Sequence, residues 1–147
     1  MMGAGRSFAN PGTLGTDLTL AAWDRLEDAR ALVSAGRSAM AIALGLYALE
    51  IQLKVLICEH LEITHLPKPF EIHDLDQLLI LCGLSRQIDQ SSLSLVRLNW
   101  ENVLGISTKL NELRYSPEDR WPIQQAHDFL GWLDDPTHGV MTWLATR

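Results

Sequence analysis

Few side chains in this sequence could act as catalysts or metal ligands, and the histidines are the first to consider. His60 and His65 lie five residues apart, and a proline-containing loop follows them. This spacing differs from the i, i+4 pair that directs two imidazoles from one helix at a metal ion. His73, His127 and His138 have no cysteine or second histidine at ligand spacing. The sequence therefore predicts no metal site and no cofactor.

Glu50 and Lys54 are charged residues within an otherwise apolar segment. They are four residues apart in the favourable order, glutamate before lysine, for an ion pair on a helix. Buried charges are costly unless they are paired. The pair is therefore interpreted either as a partly exposed ion pair or as a polar ligand-binding site between helices.

His73, Asp74 and Leu75 follow a loop and open a predicted helix. Asp74 is suited to accept hydrogen bonds from the free N–H groups of the first turn and to interact with the helix dipole. His73 either belongs to this cap or stands at the mouth of a ligand-binding cleft.

Arg114 and Tyr115 close another predicted helix. An arginine in the last turn suits the negative end of the helix dipole, and Tyr115 is expected to fill the end of the bundle. The functional alternative is an anion site built on Arg114, with Tyr115 beside it.

Arg120 and His127 form the one pair with a recognisable catalytic combination. On a continuous helix they would lie roughly 10 Å apart along the axis. Arginine can hold a phosphate, and histidine can transfer protons near neutral pH. Pro122, however, is predicted to begin a helix, which leaves Arg120 outside it. No Ser/His/Asp arrangement, glycine-rich phosphate loop or paired-carboxylate pattern is present.

Composition indicates an ordinary globular protein. The chain has 147 residues, a net charge of −6 and 47% hydrophobic residues, which fits one hydrophobic core. The acidic balance argues against a DNA-binding or general nucleic-acid-binding protein, although a small local site stays open. Cys58 and Cys82 are isolated in apolar stretches, which predicts reduced, buried thiols in the cytoplasm.

The chain is predicted to consist of a disordered leader, residues 1–16, and one helical domain, residues 17–147. The apolar run 39–49 ends at Glu50, well short of the ~20 apolar residues that a membrane span needs. It is therefore interpreted as a buried helix, and no membrane association is expected.

Apolar residues at helical spacing, with glycine and proline as boundaries, predict an all-α up-and-down bundle of four to five helices. Ser38 and Ser85 are the expected caps of the second and fourth helices. The fourth helix carries two apolar stripes, the second of which consists of Leu95, Leu98 and Ile106. Two stripes predict burial on two sides, one inside the bundle and one against a second copy of the chain. The predicted helices cover residues 17–36, 38–61, 74–82, 86–113 and 122–133, with a loop over 64–70 and a last segment ending near 143.

Several short motifs occur in a fixed order along the chain. They are residues 47–54 (YALEIQLK), the His73-Asp74-Leu75 element, and Arg114-Tyr115-Ser116-Pro117 ahead of a final helical region. In this order they resemble one branch of the HEPN family of small helical domains. The resemblance covers about residues 17–144.

The resemblance implies a helical bundle that is usually dimeric. Many HEPN proteins are partners of small nucleotidyltransferases in toxin–antitoxin or related modules. Others are metal-independent ribonucleases that carry an arginine, four to six residues, and a histidine. Here Arg120 and His127 satisfy that spacing at its upper limit, with Trp121 and Pro122 in place of the usual polar residue after the arginine.

Three functions follow as hypotheses. The first is a non-catalytic module that dimerises and binds a nucleotide or a partner protein, with its ligand site at Glu50, Lys54, His73, Asp74, Arg114 and Tyr115. The second is a ribonuclease that uses Arg120 and His127. The third is a purely structural helical bundle.

Overall fold

A computed structural model describes residues 14–147. Within this part of the chain the secondary structure is helical and contains no β-strand, which confirms the all-α class. The predicted leader, residues 1–16, lies outside the described residues except at its end, where Gly15 and Thr16 already belong to the first helix.

The first two helices form a hairpin at the centre of the fold. Helix α1 spans Gly15–Ser34 and α2 spans Ser38–His60, and they pack against each other more extensively than any other pair. Gly36 has a φ of 75°, a left-handed conformation that favours glycine after a helix end. The boundaries of both helices therefore follow the sequence closely.

Within residues 14–147, five shorter α-helices surround this hairpin. Gly83, with a φ of 78°, follows the third helix as the sequence predicted. One-turn 3₁₀ helices occur at Lys68–Phe70, Gln87–Asp89, Ser91–Leu93 and Glu118–Arg120. The helices are α3 (Leu75–Leu81), α4 (Ser94–Ser107), α5 (Leu110–Tyr115), α6 (Ile123–Asp134) and α7 (Val140–Leu144).

Helix α2 is the core element. Its length and hydropathy would also suit a membrane span, but 78% of its most apolar window is buried inside the chain's own fold. Gly45 lies where α6 approaches most closely, since a Cβ atom there would stand 2.6 Å from Cε2 of Phe129. The absence of a side chain at this position lets α2 and α6 pack in direct contact.

The predicted long helix over residues 86–113 is wrong. Gln90 is extended and separates two 3₁₀ turns, in a stretch rich in serine that also contains Asp89, residue types that favour caps and turns over helix interiors. A second break follows Ser107, because the hydroxyls of Ser107 and Thr108 donate to backbone carbonyls three residues earlier. Ser85 caps no α-helix, since α4 begins at Ser94.

The cap of α2 also differs from the prediction. Ser38 is the first helical residue and makes no cap hydrogen bond. The carboxylate of Glu118 instead accepts the N–H groups of Ala39 and Met40, at 2.9 and 3.2 Å. This distant carboxylate at a helix N-terminus ties the connection between α5 and α6 to α2.

Smaller corrections concern two prolines and one apolar stripe. Pro122 lies one position before α6 instead of beginning it. The loop over 64–70 contains one 3₁₀ turn, which starts directly after Pro67. In the second stripe of α4, Leu95 and Leu98 are exposed while Ile106 is buried. The exposed part of the stripe is therefore a short apolar surface on α4.

Candidate functional site

The side chain of Glu50 is the centre of a buried polar group on α2. It is 13% exposed, and the side chain of Lys54, one turn later, is 10% exposed. The Lys54 Nζ donates to Oε2 of Glu50 at 3.0 Å. The pair is thus part-buried, with most of each side chain removed from water, so each charge depends on its partner.

The carboxylate of Glu50 also contacts the imidazole of His73. The Nδ1 atom of His73 lies 3.2 and 3.1 Å from Oε1 and Oε2 of Glu50. Because a carboxylate can only accept, Nδ1 carries the proton in this contact. The side chain of His73 is 82% exposed, and Nε2 has no partner among the described residues. Glu50 therefore orients an accessible imidazole.

Asp74 has the capping role that the sequence predicted. Its Oδ1 accepts the backbone N–H of Gln77 at 3.0 Å and begins α3. His73 precedes the cap and interacts with Glu50 instead. The cap sets the start of α3 and thereby holds His73 against α2.

These residues line a cleft of about 380 Å³. It lies between α2, the start of α3 and the junction of α4 with α5. Its walls combine leucines, carboxylates and hydroxyls: Leu46, Tyr47, Glu50, His73, Asp74, Leu75, Asp76, Leu104, Ser107, Thr108 and Leu110. The predicted residues Glu50, His73 and Asp74 are brought together here.

Sequence reasoning missed four of these polar lining residues. Ser107 and Thr108 were placed in the middle of a long helix, and the break between α4 and α5 is what presents them to the cleft. Asp76 accepts the indole N–H of Trp100 at 3.3 Å. Tyr47 stands one turn before Glu50 on α2, and this i, i+3 spacing is the signal that could have identified it.

Arg114 lies at the edge of the cleft and contacts it through Tyr47. Its Nε and one terminal nitrogen donate to the Tyr47 hydroxyl at 3.0 and 2.8 Å. The guanidinium carbon is 5.8 Å from the centre of the tyrosine ring, within the range of a cation–π contact. Tyr115 is 84% exposed and does not fill the end of the bundle as expected.

The lining of the cleft is acidic. Glu50, Asp74 and Asp76 contribute three carboxylates, while no lysine or arginine belongs to the lining. A concave surface with one sign of charge concentrates the potential of that charge. The cleft therefore favours a guest that carries a positive charge or several hydrogen-bond donors.

Arg120 and His127 lie apart from this cleft. Arg120 ends an exposed 3₁₀ turn before α6. His127 lines a shallow groove between α4 and α6, together with Asp128, Trp132 and His138, and Arg120 is not part of that lining. Neither Arg120 nor His127 lines the cleft that contains Glu50 and His73.

The two cysteines are buried and unpaired with each other, as predicted. Burial raises the pKa of the Cys82 thiol to about 12 and also raises the pKa of Cys58. Both thiols are therefore protonated and unreactive near neutral pH. Among residues 14–147, no group of three histidine, cysteine, aspartate or glutamate side chains is arranged to hold a metal ion.

Neither a family model, nor a curated protein, nor a solved structure matches this chain at a significant level.

The contact between Glu50 and Lys54 predicts a specific pattern of stability. Glu50→Gln should lower the free energy of unfolding by about 3–5 kcal/mol, because it leaves the buried ammonium of Lys54 without a counter-charge. Lys54→Met in the same chain should recover most of the loss. Urea denaturation at neutral pH measures both values.

The matched control is Glu112→Gln, an exposed residue on α5, which should change stability by less than about 0.5 kcal/mol. An equal loss of stability in the single and double variants would show that Glu50 does not serve mainly to neutralise Lys54.

Proposed function

We propose that this chain is a non-catalytic, HEPN-like helical module that dimerises and binds a partner protein through its acidic cleft. In this proposal α1, α2, α4 and α6 are the four long helices of an up-and-down bundle. The observation that supports it is the meeting of Glu50, His73 and Asp74 in one cleft. These residues come from two of the three motifs that carry the HEPN resemblance.

The chemistry of the cleft favours a basic side chain of the partner. Leucines and the Tyr47 ring can cover the methylene stem, and the carboxylates of Asp74 and Asp76, of which only the Oδ1 atoms are engaged within the described residues, can accept hydrogen bonds from a guanidinium or ammonium group. Charge-assisted hydrogen bonds of this kind are stronger than neutral ones. We therefore assign an arginine or lysine of the partner to this cleft.

A nucleotide fits the same site less well. Its phosphates require cationic groups, and the nearest arginine, Arg114, uses Nε and one terminal nitrogen for the Tyr47 hydroxyl. The carboxylates of the lining would repel the phosphates.

We rank the ribonuclease alternative second, because Arg120 does not belong to the groove that contains His127.

The dimer of this proposal uses the exposed face of α4. Leu95 and Leu98 lie one turn apart on that helix, and each exposes about half of its surface. Two-fold pairing of this face with a second copy would bury both leucines. The interface would be separate from the cleft, since neither leucine lines it.

Binding is tested with two short peptides that differ only in a central arginine or glutamate, and with ATP as a third probe. The arginine peptide should bind more tightly than the other two, and Asp76→Asn should weaken it about tenfold by removing a charged acceptor. Isothermal calorimetry measures the dissociation constants.

Asp119→Asn is the control, since it removes an equal charge from an exposed position outside the cleft, and it should leave the affinity unchanged. ATP binding that exceeds peptide binding and disappears in Arg114→Ala would contradict the proposal in favour of a nucleotide site.

Dimerisation is tested with Leu98→Glu, which should convert a dimer to a monomer because it places a charge in an apolar interface. Light scattering coupled to size-exclusion chromatography measures the mass. Leu20→Glu, at an exposed leucine position on α1 outside this face, should leave the dimer intact. A wild-type protein that is monomeric at high concentration would exclude this part of the proposal.

A further inference from the structure

A second concave surface adjoins the acidic cleft and extends it along α4. This surface, the α3–α4 groove, includes Ile80 on α3, Arg97 on α4 and the 3₁₀ turn that ends at Asp89, and its volume is about 300 Å³. It shares Asp76 and Leu104 with the lining of the acidic cleft. The two concave surfaces are therefore continuous.

Helices α3 and α4 leave the groove open between them. Helix α3 packs mainly against α2, and the indole N–H of Trp100 on α4 donates to Asp76 on α3 at 3.3 Å. The floor of the groove contains the buried side chains of Leu79, Ile88 and Trp100. Ile80 forms a wall beside this floor and is 60% exposed. An exposed isoleucine that continues an apolar floor is suited to contact an apolar side chain of another molecule.

Charged residues form the rim of the groove. The guanidinium of Arg97 lies 3.4 Å from Oδ1 of Asp89 and 3.2 Å from Oε1 of Glu101, and all three side chains are exposed. An apolar centre within a polar rim is the usual anatomy of a protein–protein interface. Because Arg97 already pairs with both carboxylates, the apolar floor is the part of the groove that can take a side chain.

The charge of the combined surface indicates a basic partner. The linings of the cleft and the groove together contain one arginine and five carboxylates, which belong to Glu50, Asp74, Asp76, Asp89 and Glu101. A continuous acidic surface attracts and orients a segment of opposite charge. Charge complementarity therefore favours one basic segment that covers both surfaces.

The cleft and the groove are arranged along one helix. The groove contacts α4 from Arg97 to Leu104, and the cleft contacts it from Leu104 to its end at Ser107. At 1.5 Å per residue, this stretch of α4 is roughly 15 Å long. A helix of the partner matches that length, because its residues i and i+7 share a face and lie roughly 10 Å apart. An extended segment would pair with a strand edge, and residues 14–147 contain no β-strand.

The geometry points to a basic, amphipathic α-helix of the partner protein as the occupant of the cleft and the groove together. An arginine of this helix enters the acidic cleft, and an apolar side chain seven residues before or after it lies in the α3–α4 groove against Ile80. This inference rests on the function proposed above for the cleft, and it adds the shape of the partner and a second contact.

The experiment uses helical peptides of about 18 residues built on alanine and glutamine. The first peptide carries a central arginine with a leucine seven residues before it and another seven residues after it. The second has the same composition, but its leucines lie five residues from the arginine and therefore on another face of the helix. The third replaces the arginine of the first by glutamine. Calorimetry should show that the first peptide binds about tenfold more tightly than either of the others.

Two variants of the protein locate the leucine. Ile80→Ser should remove most of the advantage of the first peptide over the second, because it removes the apolar wall of the groove. Leu81→Ser changes the next exposed position on α3, which lies outside both linings, and should retain the advantage. In the wild-type protein, the Ile80 methyl resonances should shift with the first peptide and not with the second.

Equal affinity for the first and second peptides, or an unchanged advantage in Ile80→Ser, would overturn the inference and leave the assignment of the cleft standing. The inference would also be overturned if the first peptide did not bind at millimolar concentration to a protein that binds the short arginine peptide. Equal affinity for the first and third peptides would instead contradict the function proposed for the cleft.

Discussion

The structure depends on one electrostatic constraint, the burial of Lys54 in a helix that is otherwise apolar. Helix α2 packs against the rest of the fold on most of its faces, so an ammonium group at this position needs a counter-charge within reach. Glu50 supplies it one turn earlier at 3.0 Å. The same carboxylate contacts His73, which directly precedes the Asp74 cap of α3 and lines the cleft. Core and candidate site therefore share a single interaction.

Local signals predicted the first half of the fold well. Helix boundaries are set locally by the turn glycines Gly36 and Gly83 and by the cap at Asp74. The predicted bounds of α1, α2 and α3 therefore lie close to those in the structure. The prediction of one long helix after Gly83 was wrong because apolar spacing continues through two breaks, one at the extended Gln90 and one after Ser107, where hydroxyls bond to backbone carbonyls. The cap of α2 by Glu118 spans almost 80 positions of sequence and leaves no local signature.

The candidate site was predicted in its charged members but not in its shape. The sequence predicted Glu50 and His73 as site residues because they are polar side chains in unusual places, and the structure brings the two into contact. Tyr47 and Asp76 were not predicted as site residues, because each fits an ordinary helical pattern. Their place in the lining of the cleft depends on where α4 ends. The set of residues that lines the cleft therefore depends on tertiary placement more than on the spacing of the motifs.

The most direct measurement of the central claim is a ¹⁵N NMR spectrum of the His73 imidazole, recorded without and with the arginine peptide. The contact with Glu50 predicts an imidazole that carries its proton on Nδ1 in the free protein. Occupation of the cleft should then shift both ring nitrogens. A histidine with its proton on Nε2, whose resonances do not change when the peptide is added, would contradict both the role of Glu50 and the assignment of the cleft as the binding site.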